Sequence, residues 1–171
     1  MKASFLRRAD TVSRHLVPCA LTFAMLFVGL VPLHLPSFQA VAPSLPLIAV
    51  FYWTLYRPDL MPVLAVFLIG LLQDILGGLP IGVSSVTFVC VHAAVTSQRR
   101  FFIGKSFSII WLGFTVVAVG ALALSWLLSC AYYGASVSLH AVAFQVLITV
   151  GCFPVVCWLL LRCQLSLLRQ I

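Results

Sequence analysis

Residues 67–82 have the sequence FLIGLLQDILGGLPIG, an apolar run that contains one charged residue, Asp74, and ends in a Gly-Gly-x-Pro turn. Gly70, Asp74 and Gly78 are spaced four residues apart, so they share one face of a helix. Small residues on such a face allow a neighbouring helix backbone to approach closely. The stretch therefore predicts two apolar helices that are joined by a tight turn and packed against each other.

The rest of the chain is as apolar as this stretch. Its 171 residues are 63% hydrophobic and 8% charged, whereas a soluble domain has about 25% charged residues. The mean hydropathy of +1.19 also excludes a disordered chain, which requires low hydrophobicity. At about 20 residues per crossing, the chain is long enough for about six transmembrane helices and for no sizeable soluble domain. We therefore expect an all-α integral membrane protein.

Apolar segments separated by polar or proline-containing breaks predict where the helices lie. We expect spans at about residues 16–35, 42–56, 60–76, 81–97, 107–130 and 139–161. They make up one transmembrane domain, 16–161, between a basic N-terminal segment, 1–15, and a short tail, 162–171. Because the apolar core of a signal peptide has only about 7–15 residues, we expect the first span to remain as a helix.

The second span ends in aromatic residues, and the third span begins with a candidate helix cap. Tyr52, Trp53 and Tyr56 lie at the end of the second span and resemble the aromatic belt of a membrane interface. Asp59 lies in the connection and is expected to cap the third helix, with Pro62 in the first turn of that helix.

The basic residues predict the orientation, because Lys and Arg accumulate in cytoplasmic loops. If the N-terminus is inside, all ten fall on the cytoplasmic side, at positions 2, 7, 8, 14, 57, 99, 100, 105, 162 and 169. We therefore expect both termini in the cytoplasm. The loops are too short for a binding domain, so partners must be met through helices, short loops and tails.

Asp74 is a charged residue within an apolar segment, and its surroundings therefore need an explanation. An ionised aspartate that faces lipid costs about 2.5–3.5 kcal/mol, so its side chain should face protein or water. The turn brings back the N-terminus of the fourth helix, whose free N–H groups lie near Gly82 to Ser85. We expect Asp74 to be a structural clasp on this turn. A proton or cation site is the functional alternative.

A basic loop follows the fourth span and contains Arg99, Arg100 and Lys105 among aromatic and aliphatic residues. One interpretation is a topology determinant that also contacts anionic membrane lipid. The other is docking of a cytoplasmic protein. A small-residue stripe on the fifth span predicts a packing seam within the bundle or between the copies of a homodimer, and it consists of Gly113, Gly120, Ala121 and Ser125.

Several function classes are not expected. The basic residues are scattered between apolar segments and do not form a patch for nucleic acid. The six cysteines lie without the spacing of a zinc site, and His92, in the polar fourth span, is expected to pack centrally in the bundle. We find no catalytic set and no phosphate loop, so we expect neither enzyme activity nor a cofactor or metal.

A resemblance to a known family rests on residues in the first half of the chain. Prolines at 43 and 46, the pair Tyr52-Trp53 and the pair Arg57-Pro58 precede a motif of six residues, Phe67, Gly70, Asp74, Gly78, Pro80 and Gly82. In this order, with six spans and a basic fourth loop, the chain resembles the MreD family of rod shape-determining membrane proteins.

The resemblance implies a non-catalytic scaffold of the bacterial elongation complex, in the inner membrane, that supports lateral peptidoglycan synthesis. Its expected direct partner is a bitopic protein of the MreC type. Through that partner it would be coupled to MreB filaments and to RodA with its transpeptidase. The family is also similar in fold to the S subunits of energy-coupling-factor transporters.

That similarity leaves a second function open. A substrate-binding membrane subunit of a vitamin-type transporter would have the same hydropathy. Such a subunit is expected to enclose an outward pocket, lined here by polar groups near Asp74, Ser84 and His140.

Overall fold

The computed structural model describes residues 19–29, 43–134 and 139–168, with side chains up to Gln164. Within these ranges the chain is helical and contains no strand, which confirms the predicted all-α class. The helices are α1 (Cys19–Gly29), α2 (Leu45–Tyr56), α3 (Val63–Gly77), α4 (Val83–Phe102), α5 (Phe107–Tyr133) and α6 (Leu139–Leu168). The predicted segment 1–15 and both ends of the first span lie outside the described residues.

The helices differ in their capacity to cross a membrane. Of those described, α5 and α6 are both long and apolar enough to do so. The apolar helices α1, α2 and α3 are shorter, and α2, with 12 residues, has a length of about 18 Å. The helical conformation of α6 continues to Leu168, through most of the predicted tail.

The short helix α2 is the most enclosed part of the bundle. Ten of its twelve residues are buried, and it packs against α4 and α6. Trp53 and Tyr52 are 0% and 3% exposed, whereas Tyr56 is 44% exposed. The predicted aromatic belt is therefore wrong for Tyr52 and Trp53. Because α2 packs against α4 and α6, these two rings are part of the core of the bundle.

Asp59 does not cap α3, contrary to the prediction. It lies in a short 3-10 helix, Pro58–Leu60, that follows α2. The N-cap of α3 is Pro62, which has an extended backbone with ψ of 151°. Met61, fully buried, separates the two helices. The chain thus makes a second turn before α3 begins, and this turn moves Asp59 out of capping distance.

Hydrogen bonds join α2 to α6 near both ends of α2. The backbone N–H of Ser44 donates to the Thr149 hydroxyl at 3.1 Å. At the other end, the hydroxyl of Tyr52 donates to Oε1 of Gln164 at 2.9 Å. The C-terminal ends of α2 and α6 therefore lie at the same end of the bundle.

Four helices meet in a cluster of aromatic rings. Phe51 of α2 contacts Phe102, Phe114 and Phe153, with ring centroids 5.1 to 6.5 Å apart. Phe102 also lies against Gly113, where a Cβ would be 2.2 Å from the ring. The predicted seam on α5 is thus used inside the bundle at Gly113.

The polar helix α4 is central, as its sequence predicted, because it packs against α2, α3 and α5. His92 is buried, and its Nε2 lies 3.1 Å from the carbonyl oxygen of Met61. Nε2 donates to this carbonyl in the tautomer that carries the proton there.

Candidate functional site

The closest approach between two helix backbones in the site occurs at Gly70. An ideal Cβ at this position would lie 2.5 Å from Cα of Ser85 and 2.9 Å from the carbonyl carbon of Ser84. Real Cβ atoms do not come so near to backbone atoms, so only glycine allows α3 to pack at this distance from α4. The small-residue face predicted from residues 67–82 is therefore the α3–α4 contact.

The turn between the two helices depends on two glycines with positive φ. Gly78 ends α3 with φ of 67°, and the following N–H, of Leu79, donates to the carbonyl of Asp74 at 3.1 Å. Gly82 begins α4 with φ of 106°. L side chains rarely adopt these conformations, so both positions favour glycine. Pro80, buried between them, accepts a hydrogen bond from the N–H of Val83.

The carboxylate of Asp74 closes this turn. Its Oδ2 accepts a hydrogen bond from the N–H of Gly82 at 2.8 Å, and its Oδ1 accepts one from the N–H of Ser84 at 2.9 Å. Asp74 is 0% exposed. These are the N–H groups at the start of α4 that the sequence predicted as partners. The positive end of the α4 dipole adds a favourable interaction with the negative charge.

Two further polar atoms are buried in this region. Oγ of Ser85 and Oε1 of Gln73 have no hydrogen-bond partner within the described part of the chain. The backbone of Ser85 lies against Gly70, and Ser85 is fully buried. The same ranges contain no group of three or more His, Cys, Asp or Glu residues that could hold a metal ion.

Phe67 differs from the other five motif residues, because it lies neither in the turn nor at the close α3–α4 approach described above. Its side chain is 41% exposed. It belongs to an apolar outer surface of α3 that also includes Leu64, Leu68 and Ile75, which are 47 to 68% exposed. The main packing partner of α3 is α4. The large exposed fractions of these four side chains show that the other helices described leave this surface largely uncovered.

The basic loop lies at the opposite end of α4 from Asp74. Nε of Arg99 donates to the carbonyl oxygen of Leu55 at 3.0 Å, which joins the end of α4 to the end of α2. Nζ of Lys105 lies 5.7 Å from the ring centroid of Phe101. Arg100 is exposed. The sequence indicated these cations as a group, but the structure gives them separate contacts.

The sequence did not identify Leu55 or Tyr56 as neighbours of the basic loop. A cleft of about 270 Å³ lies between this loop and the end of α2, and both residues line it together with Arg99 and Lys105. The hydrogen bond between Arg99 and the Leu55 carbonyl spans 44 positions in sequence, so no local pattern could have indicated it.

Comparisons with known proteins support one family. A family model described as rod shape-determining protein MreD matches residues 10–166 of the chain. Comparison with curated proteins and with solved structures gave no match.

Proposed function

This chain belongs to the MreD family of rod shape-determining proteins, and on that basis we propose that it is a non-catalytic membrane scaffold of the bacterial elongation complex. It binds a bitopic protein of the MreC type and thereby supports rod shape and lateral peptidoglycan synthesis. Its links to MreB filaments and to RodA with its transpeptidase are indirect. The family match over nearly the whole chain is the observation that carries this proposal.

We further propose a multi-pass protein of the cytoplasmic membrane, with six spans over residues 16–161 and both termini in the cytoplasm. Support comes from the described basic residues, which lie at the ends of α2, α4 and α6 and before the start of α5. They are Arg57, Arg99, Arg100, Lys105 and Arg162. The Arg99–Leu55 and Tyr52–Gln164 hydrogen bonds hold the ends of α2, α4 and α6 together. A six-helix fold similar to that of the transporter S subunits is part of this proposal.

The role proposed for Asp74 is structural. Both carboxylate oxygens accept backbone hydrogen bonds from the start of α4, and the side chain is fully buried. A proton or cation site would need a carboxylate that is accessible to water. Together with the contact at Gly70, these hydrogen bonds make α3, the turn and α4 one rigid unit.

The outer surface of α3 is the proposed contact for the bitopic partner. Gly70, Asp74, Gly78, Pro80 and Gly82 serve the internal packing of the unit. Phe67, from the same motif, is exposed beside Leu64 and Leu68. In a bilayer, helices associate through close packing of complementary surfaces. A rigid helix with an aromatic side chain on its free surface is suited to hold a partner helix.

Depletion of the protein in its host tests the proposal. Rod-shaped cells should become round as the protein is lost, and re-expression of the wild-type chain should restore rods. Retention of rod shape after complete depletion, with the protein absent from membranes by immunoblot, would contradict the proposal.

The transporter alternative has no specific support among the described residues. The N–H of Ser84 donates to the Asp74 carboxylate, so these two groups are used in the turn between α3 and α4. His140 is exposed on α6, which packs against α2 and α5, whereas Asp74 lies on α3.

A further inference from the structure

The cleft at the basic end of the bundle combines positive charge with an apolar wall. It has a volume of about 270 Å³ and lies between the C-terminal ends of α2 and α4 and the start of α5. Arg99, Lys105 and Tyr56 are the lining residues with polar side chains. Leu55, Phe102 and Ile110 are among its apolar lining residues.

The positive charge of the cleft is not neutralised within the described part of the chain. Arg99 and Lys105 form no ion pair there, and the guanidinium of Arg99 uses its Nε for the carbonyl of Leu55. That hydrogen bond leaves the terminal nitrogens of Arg99 for another acceptor. The same hydrogen bond and the partial burial of Arg99 restrain the position of the guanidinium.

The first turn of α5 adds a smaller contribution of the same sign. Its N-cap, Ser106, forms no side-chain capping hydrogen bond, and Ile110 of this turn lines the cleft. The N-terminal end of a helix carries partial positive charge, which favours an anion nearby. Two cationic residues and the first turn of α5 therefore border one cleft.

We propose that this cleft binds the phosphate headgroup of an anionic phospholipid. A guanidinium and an ammonium are the side chains that bind phosphate oxygens best, and the tyrosine hydroxyl can donate a third hydrogen bond. The volume is below the about 300–1,000 Å³ typical of pockets for drug-sized ligands, and so suits a small polar headgroup.

The apolar wall favours a lipid over an acidic protein segment. The flanking side chains of Phe101 and Ile103 are 61% and 60% exposed, beside cations that lie at helix ends. An acyl chain can cover such apolar surface while its phosphate stays at the charged groups. The inference rests on the proposed position of this end of the bundle at the cytoplasmic interface.

Titration of the purified full-length protein tests the inference. The protein is kept in neutral detergent at 0.15 M salt and titrated with phosphatidylglycerol, with phosphatidylcholine and with inorganic phosphate, and its thermal midpoint is followed. At this salt concentration charges are screened beyond about 8 Å, so cations outside the cleft have little effect. We expect phosphatidylglycerol alone to raise the midpoint.

Matched variants locate the site. Lys105→Gln should weaken phosphatidylglycerol binding about fivefold, the effect of one cation at an anionic headgroup. Tyr56→Phe should weaken it less. Arg100→Gln removes the same charge five residues away and does not line the cleft, so it should bind as the wild type does. Lys105 forms no ion pair in the described chain, so its variant is expected to fold.

Three outcomes would overturn the inference. Equal loss of binding in Arg100→Gln and Lys105→Gln would indicate diffuse surface charge. An equal response to inorganic phosphate would indicate a site for soluble anions. If none of the three ligands changes the midpoint, the cleft does not bind a phospholipid headgroup, and an acidic protein segment becomes the alternative ligand. These measurements use purified protein, so they do not depend on the outcome of the cell-shape experiment.

Discussion

Gly70 lies against the backbone of Ser85, at a distance that excludes any side chain at position 70. A Cβ there would be 2.5 Å from the Ser85 Cα and 2.7 Å from its nitrogen. The two helices can approach this closely because the turn between them is short and is closed by Asp74. The contact at Gly70 and the hydrogen bonds of Asp74 therefore depend on each other.

Substitution of Gly70 tests the close approach. Gly70→Ala places a methyl group against backbone atoms that cannot move aside, so we expect a loss of about 1–3 kcal/mol in stability. The measurement is the thermal midpoint of the purified protein in mild detergent. Gly77→Ala is the matched control, because a Cβ at Gly77 meets nothing within 4 Å. A lower midpoint for Gly77→Ala than for Gly70→Ala would refute this explanation of the contact.

Two substitutions separate the hydrogen bonds that Asp74 accepts from its negative charge. Asp74→Leu leaves the N–H groups of Gly82 and Ser84 without acceptors, which costs about 1–3 kcal/mol for each buried group. Asp74→Asn keeps one acceptor oxygen and should be destabilised less, by about 1 kcal/mol. The exposed Asp59→Asn is the control and should leave stability unchanged.

Complementation of depleted cells then distinguishes the two roles proposed for Asp74. A structural clasp predicts that Asp74→Asn restores rod shape, since it retains an acceptor. Round cells that contain a normal amount of folded Asp74→Asn would instead show that the negative charge itself is needed.

The packing of Phe102 on Gly113 gives an independent prediction. A Cβ at Gly113 would overlap the Phe102 ring, so Gly113→Ala should lower the thermal midpoint. Phe102→Leu creates space at that point, and the double variant should lose less stability than the sum of the two single variants. Gly120→Ala, which meets nothing within 4 Å, is the control. Strictly additive losses would show that the two residues do not share this contact.

Much of the α3–α4 unit could be predicted from sequence because its signals are local. Gly70, Asp74 and Gly78 are spaced by one helical turn, and Gly82 follows within a few residues of the turn. The partners of the Asp74 carboxylate lie only 8 and 10 residues away in sequence. A short connection of this kind leaves few other places for a buried carboxylate.

The position of α2 could not be predicted in the same way. Its residues are apolar on every face, so no pattern distinguishes a helix in the core from one that faces lipid. The position of Tyr52 and Trp53 at the end of the span predicts an interface, whereas both residues are buried. Their burial depends on α4 and α6, which come much later in the chain.

The N-terminal end of α3 depended on competing local signals. Asp59 is a good capping residue, but a proline disfavours the helical conformation of the residue before it, here Met61, so a helix that starts directly after Asp59 is disfavoured. The proline decided where the helix began. The hydrogen bond between Arg99 and the carbonyl of Leu55 had no sequence signal at all, because it joins helix ends that are distant in the chain.

Co-purification of the bitopic partner measures the binding on which the proposed scaffold role depends. Tagged wild-type protein, Phe67→Ala and Phe144→Ala are expressed in depleted cells, extracted in mild detergent and compared for the amount of MreC-like protein that co-purifies. Phe144 is the control, an aromatic residue on α6 that is 53% exposed. We expect recovery with the wild type and Phe144→Ala, and a marked loss with Phe67→Ala at equal expression. No recovery with the wild-type protein, or equal recovery with all three, would contradict it.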